Sequence, residues 1–214
     1  MPLLRKKDIS PGCSLAIWDI REDEEELARL AELADEDRAF LRQLGYRPRR
    51  LQWMASRILL RSLTGSTALK IAYDDFGKPF LRDSALRISI SHSHGRVGLI
   101  ASGQETGLDI EQVREKIYRI RMKFMSEAEL KNIGAAAAHE QLTAYWCAKE
   151  SLYKLYGKKE LHFREHILID DFEYRGSGTL TGRIAVRGFE QRYRLCYEAE
   201  GGFMHAFVLP GDKT

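Results

Sequence analysis

The sequence predicts an α+β protein made of two halves, and three observations carry that prediction. Strand-like and helix-periodic runs follow the order strand, helices, strands, then helices, strands, which is not the alternation that winds a parallel sheet. The halves meet around Gly103 to Gly107 with no long linker, so they are expected to share an interface. A chain of 214 residues with 44% hydrophobic content can build one domain or two small lobes around a core.

Ser14 to Ile20, rich in apolar and β-branched residues, is the first strand. Glu22 to Leu44 carries Leu27, Leu30, Leu33 and Ala34 at helical spacing with acids on the opposite face, and Gly45 marks its end. Pro48 suits the first turn of a second helix that buries Trp53, Ile58 and Leu59 and stops near Leu63, before Thr64-Gly65-Ser66. Short strands are expected at 69–73, 86–91, 97–102 and 107–111, with turns at Asp74 to Gly77 and Ser93 to Gly95. Tyr118 to Ile133 is helical, and Ser126 with Glu129 three residues on predicts a capping box. Ala135 to Tyr156 is the strongest helix, closed by Gly157. From 167 to 209, short strands alternate with glycine turns at 176–178, 188 and 201–202.

The 17 glycines and 5 prolines exclude collagen-like or low-complexity architecture. No apolar run approaches the ~18 residues of a membrane span, and Met-Pro-Leu-Leu-Arg-Lys-Lys-Asp lacks the apolar stretch of a secretory signal. Cys13, Cys147 and Cys196 match neither a disulfide framework nor zinc-ligand spacing, so a reducing cytoplasm is the expected location. The net charge of +3 does not announce a nucleic-acid binder. Its distribution is uneven: ten acids and two arginines between Asp19 and Asp37, then eight basic residues and no acid from Arg38 to Lys70. Either two solvated helix faces attract each other, or the basic segment meets an anionic ligand, whose oxygens Arg forks match well.

Three residue groups carry chemistry. In Gly107-Leu108-Asp109-Ile110-Glu111, Asp109 and Glu111 point to one side of a strand while Leu108 and Ile110 face the core. They form either a polar outer face or, with a hard divalent cation such as Mg²⁺ between them, the start of a metal site. In Trp146 to Lys154, Glu150 and Lys154 share a helix face in the favourable order. The pair is a surface salt bridge, or Glu150 adds a third carboxylate while Lys149 and Lys154 neutralise phosphate. In the loops, Lys78 sits in a rigid turn, and Ser91, His92 and His94 end a strand. No third ligand stands at zinc spacing from the histidines, and His94→Ala is expected to matter little. No phosphate-binding glycine fingerprint is present; the inventory suits metal-assisted transfer involving a phosphate ester.

Gly-Leu-Asp-Ile-Glu at 107–111, followed about 35 residues later by Trp-Cys-Ala-Lys-Glu-Ser-Leu-Tyr-Lys at 146–154, resembles the paired signature of the 4′-phosphopantetheinyl transferases. Gly77-Lys78-Pro79 and Ile90-Ser91-His92 resemble the family's upstream motifs, in the same order. The departures, Leu108 where Ile or Val is usual and Thr106 where an apolar residue is usual, do not touch the ligands. The length is similar to the two-lobed, monomeric surfactin-synthetase-activating type rather than the short trimeric carrier synthase type.

The resemblance implies two similar α/β lobes, 1–103 and 104–214, in a pseudo-twofold arrangement, each a small, mostly antiparallel sheet packed against helices, with the active site between them. It implies a cytoplasmic holo-[acyl-carrier-protein] synthase that moves the 4′-phosphopantetheine arm of coenzyme A to a serine of an apo acyl or peptidyl carrier protein, of fatty-acid, polyketide or nonribosomal-peptide type. The other product is adenosine 3′,5′-bisphosphate. Asp109, Glu111 and Glu150 are implied as ligands of Mg²⁺, with Mn²⁺ as a substitute, and Glu150 also as general base. Lys149 and Lys154 are implied to hold pyrophosphate charge, Lys154 as a catalytic residue. Lys78, Ser91 and His92 are implied as nucleotide contacts, with Arg50 and Arg57 as weaker assignments. An acidic carrier is expected to dock near Arg119 to Lys123; nucleic acid and membrane are not expected partners.

Overall fold

The computed structural model describes residues 3–158 and 160–213. The chain opens with a hairpin, β1 (Leu3–Ser10) and β2 (Cys13–Asp19), turning at Pro11-Gly12. Helices α1 (Glu24–Ala31), α2 (Asp35–Gln43) and α3 (Arg47–Thr64) follow, then a small hairpin of β3 (Ile71–Tyr73) and β4 (Pro79–Leu81), then β5 (Arg87–Ser93) and β6 (Arg96–Ser102). These build a four-stranded antiparallel sheet in the order β1-β2-β6-β5. The second sheet has the order β7-β11-β10-β9-β8 and is also antiparallel. It comprises β7 (Leu108–Gln112), β8 (Ile167–Ile169), β9 (Ser177–Val186), β10 (Phe189–Glu200) and β11 (Phe203–Lys213). Between β7 and β8 lie α4 (Lys116–Phe124), α5 (Glu127–Leu130), a 3₁₀ turn at Ala135–Ala137, and α6 (Ala138–Tyr156). The protein is therefore α+β, with two antiparallel sheets and one long helix packed on each.

The period of two along each strand sorts side chains between three apolar clusters. Ala16 and Trp18 of β2 pack with Leu27, Met54 and Leu59 under α1 and α3. Their neighbours Leu15 and Ile17 face the other way and join Ile100, Leu108, Ile110 and Phe207, so the first sheet is buried on both faces. This third cluster joins the two sheets. Around it, Glu198 of β10 takes ion pairs from Arg5 and from Lys7, the latter at 3.1 Å, and lies 3.2 Å from the ring of His205. Arg96 reaches across to donate to the Glu200 carbonyl and covers the ring of Phe203. The second core gathers around α6, with Tyr145, Leu152, Ile184, Leu195 and Met204 at its centre.

Two expectations are corrected. The single helix expected over 22–44 is two: Glu32 turns left-handed (φ 48) after α1, and Ala34 restarts the chain into α2. No glycine or proline marks the break. It is set from α3, where Arg61 donates to the Leu30 carbonyl and pairs with the Glu32 carboxylate at 2.8 Å. Strand β1 was not expected, because its run of Arg5, Lys6 and Lys7 hides a period of two; such charges are usual on an edge strand. The Ser126–Glu129 capping box forms as predicted, and Gly65 and Gly157 both close their helices in the left-handed conformation.

Two contacts fix α6 against its sheet. A Cβ at Gly107 would lie 1.9 Å from the Ser151 carbonyl oxygen, so β7 begins where only glycine lets the helix backbone pass. Lys149, fully buried, donates to the Phe124 carbonyl and Glu129 Oε2 at 2.8 Å each and to the Phe163 carbonyl at 3.0 Å, which uses all three ammonium protons. Glu129 in turn accepts the amides of Ser126 and Ile169. Gly107→Ala is expected to destabilise the protein by about 3 kcal/mol through overpacking against backbone, measured by urea unfolding. Lys149→Met leaves Glu129 buried without its cation and should cost about 3–5 kcal/mol; a midpoint equal to wild type would show that the pair does not hold α6.

Candidate active site

The site begins with three serines. Ser89, Ser91 and Ser93 occupy alternate positions of β5, so all three point to one side. Strand β5 ends the first sheet and β7 ends the second. The two edges do not share a backbone ladder. Instead Ser89 Oγ accepts the Leu108 amide at 3.0 Å, Ser91 Oγ the Ile110 amide at 3.1 Å, and Ser93 Oγ the Gln112 amide at 3.3 Å. The hydroxyl protons then go to the side chains between those amides. Ser91 donates to Asp109 Oδ1 and Ser93 to Glu111 Oε2, both at 2.8 Å.

Lys154 Nζ closes on Asp109 Oδ1 at 2.7 Å and on the Leu108 carbonyl at 3.0 Å. Asp109 is buried, and its other oxygen, Oδ2, has no hydrogen-bond partner. Glu150, one helical turn before Lys154, is pushed up to about 7, by burial first and then by the charge of Asp109, with Lys154 opposing. Glu111 is also raised, by burial and then by Asp109, against the lowering bond from Ser93. Three carboxylates thus crowd one lysine at the seam, and each of the glutamates feels the charge of Asp109. Among the described residues no three such groups close on a single point as metal ligands do.

Beside the seam opens a cavity of about 520 Å³. Its walls bring together Lys78, His92, Tyr153 and Lys154 with one face of α3: Arg49, Gln52, Trp53 and Ser56. Lys78 is held from both ends. Its amide donates to Asp74 Oδ1 at 2.8 Å, and its ammonium donates at 2.7 Å to both Glu105 Oε2 and the Leu155 carbonyl at the end of α6. Gly157 leaves the passage for it, since a Cβ there would lie 2.7 Å from Lys78 Cδ. Desolvation in the cavity wall and the neighbouring Arg49 hold His92 below its ordinary value.

Four assigned residues stand elsewhere. Lys149 is locked inside the second core and does not reach the cavity. Arg50 forks onto Glu24, at 2.6 and 2.8 Å, and donates to the Leu44 carbonyl, clasping α1 to α3. Arg57 stacks behind Trp53, 3.6 Å from the ring centroid, and bonds Ser56 Oγ at 2.9 Å. Ser91 faces Asp109 across the seam rather than the open cavity. The arginine that does line the cavity, Arg49, was not singled out from sequence. Its signal was the spacing of positions 49, 52, 53 and 56, one helical stripe.

Comparison with known proteins bears on this geometry. The model of the 4′-phosphopantetheinyl transferase superfamily matches residues 105–207, a span that contains Asp109, Glu111, Glu150 and Lys154. The chain is 33% identical over 120 residues to "4′-phosphopantetheinyl transferase AcpT" of Escherichia coli O157:H7, and likewise to that of strain K12. It is 32% identical over 116 residues to the protein of the same name from Salmonella typhimurium. These matches span 51% of this chain and 60% of each relative. The motif order, the matched span and the crowded carboxylates on β7 and α6 agree: residues 105–207 carry the features of the 4′-phosphopantetheinyl transferase superfamily.

Proposed function

We propose that this protein transfers the 4′-phosphopantetheine arm of coenzyme A to a serine of an apo carrier protein, as a holo-[acyl-carrier-protein] synthase of the two-lobed surfactin-synthetase-activating type. The observation that carries this reading is the seam itself, where a buried aspartate with one unpartnered oxygen, two destabilised glutamates and a lysine meet at the edge of a basic, aromatic-walled cavity. The cavity's cations, Lys78, Lys154 and Arg49, suit the phosphates of coenzyme A, and its aromatic wall suits the rest of the nucleotide.

In this reading the carrier serine oxygen attacks the phosphorus that bears the pantetheine arm. The bond from that phosphorus to the bridging oxygen breaks, and adenosine 3′,5′-bisphosphate leaves with the electron pair. Glu150, poised near neutrality, takes the serine proton. Lys154 follows the negative charge that develops on the leaving side. The donor set fits a hard divalent cation: all oxygen, one atom unpartnered, and two carboxylates whose charge is unfavourable as they stand. Asp109, Glu111 and Glu150 would hold Mg²⁺, or Mn²⁺ in its place, and the bound ion would neutralise pyrophosphate charge.

The wider reading follows from the same site. The lobes 1–103 and 104–214 flank the cavity, and a monomer in the cytoplasm suffices for the chemistry. On α4, Tyr118 and Met122 are exposed and Arg121 lies 3.8 Å over the Tyr118 ring, an amphipathic basic face suited to an acidic carrier. Among the described residues no helix is long and apolar enough to cross a membrane.

Intact-mass measurement of an apo acyl or peptidyl carrier protein, incubated with this protein, coenzyme A and Mg²⁺, tests the proposal. The carrier should gain one phosphopantetheine arm, and EDTA should abolish the gain. Asp109→Ala and Glu150→Gln should each lower the rate by about 10²–10⁴-fold with the fold retained by circular dichroism; near-wild-type turnover in either would remove the site assignment.

A further inference from the structure

Strands β5 and β6 are joined by a two-residue turn, His94-Gly95, in which both residues have positive φ, 44° and 85°. Such a turn is built most cheaply from Asn-Gly or Gly-Gly, which occupy the left-handed region with least strain. A histidine here retains a side chain at some cost in conformation. What the ring touches gives that side chain a use. His94 Nε2 lies 2.8 Å from Arg114 Nη1, and His94 Nδ1 lies 3.1 Å from Ser93 Oγ.

The donors and acceptors leave one solution. A guanidinium has only donors, so Nε2 must accept from Arg114, and the proton of the neutral ring therefore sits on Nδ1 and is donated to Ser93. Ser93 Oγ already accepts the Gln112 amide at 3.3 Å, and the ring N–H fills its second lone pair. The single hydroxyl proton has one acceptor left, Glu111 Oε2 at 2.8 Å. The bonds run in one direction: Arg114 to His94, His94 to Ser93, Ser93 to Glu111. Without the ring, the Ser93 hydroxyl keeps a free lone pair, and its rotor is no longer forced onto the carboxylate.

We infer that His94 is a positioning residue: through Ser93 it helps fix the direction in which Glu111 presents its carboxylate to a divalent cation at the seam. This rests on the metal role proposed for Glu111 and adds to it a residue outside the superfamily motifs matched in sequence. It also reverses the expectation that His94 matters little.

Variants at a left-handed position separate the ring's bond from the turn. His94→Gly keeps the backbone geometry and deletes the donor; His94→Asn keeps both, since its side-chain amide can donate to Ser93 and Asn tolerates positive φ. With coenzyme A present, Mn²⁺ affinity measured by electron paramagnetic resonance should fall about tenfold in His94→Gly, the usual effect of losing an outer-shell partner, and recover in His94→Asn. In a Ser93→Ala background, His94→Gly should add no further loss. Independently of metal and activity, ¹⁵N shifts of the wild-type ring at neutral pH should report the Nδ1–H tautomer. An Nε2–H tautomer, or wild-type Mn²⁺ affinity in His94→Gly, would overturn the inference. A wild-type protein that transfers the arm but binds no Mn²⁺ would overturn the positioning role while leaving the transferase reading standing. A protein that binds Mn²⁺ with the expected variant pattern but transfers nothing would do the reverse.

Discussion

The structure depends on a seam of side-chain hydroxyls. Each sheet ends in a strand whose outward amides need acceptors, and a buried amide without one costs about 1–3 kcal/mol. A backbone ladder between β5 and β7 would have met that need by fusing the sheets into one. Serine does it at one side chain's remove: the three amides of β7 are satisfied, and the sheets stay distinct. The hydroxyl also donates, which a backbone carbonyl does not. That second capacity is why Asp109 and Glu111, on the residues between the stitched amides, receive oriented hydrogen bonds where the two sheets meet. Gly107 belongs to the same arrangement, since α6 and its Glu150 and Lys154 come close only because β7 starts without a side chain.

The electrostatics follow from what the seam gathers. Burial and mutual repulsion work against three carboxylates, and one ammonium, Lys154, offsets part of this by bonding the most deeply placed of them. The glutamates remain displaced toward their neutral forms. Local discomfort of this kind, in a well-packed surrounding, is characteristic of sites shaped for a ligand rather than for stability. Lys149 shows the contrasting case five residues earlier: complete burial, three acceptors and no free proton, which serves packing alone.

Much of this was legible in the sequence, and the failures have specific causes. The α+β order, the helix closed by Gly157, the Ser126 capping box and the side-by-side placement of Asp109 and Glu111 follow from local rules, and they hold. Lys149 and Lys154, or Arg49, Arg50 and Arg57, are alike in type and differ by helical phase. A residue step turns the side chain by about 100°, so naming the right arginine requires knowing which face of α3 looks into the cavity. The split between α1 and α2 is written in Arg61, thirty residues away in the chain, and so has no local trace. The need for glycine at 107 is likewise imposed from α6. The charged edge strand β1 was masked because solvent-facing lysines and arginines carry no apolar signal.

The hydroxyl seam has a mechanical consequence. The serines stand at every second position of β5, so sliding one sheet past the other by a single residue would carry their hydroxyls about 3.3 Å along the strand, off the amides of β7. The next position that restores any of the pairs lies two residues away, about 7 Å along the strand, and only part of the row would still overlap. Between those positions there is no intermediate of comparable energy. The two sheets are thus indexed like teeth in a rack: they cannot creep past each other, which fixes the dimensions of a cavity walled by residues on both sides of the seam.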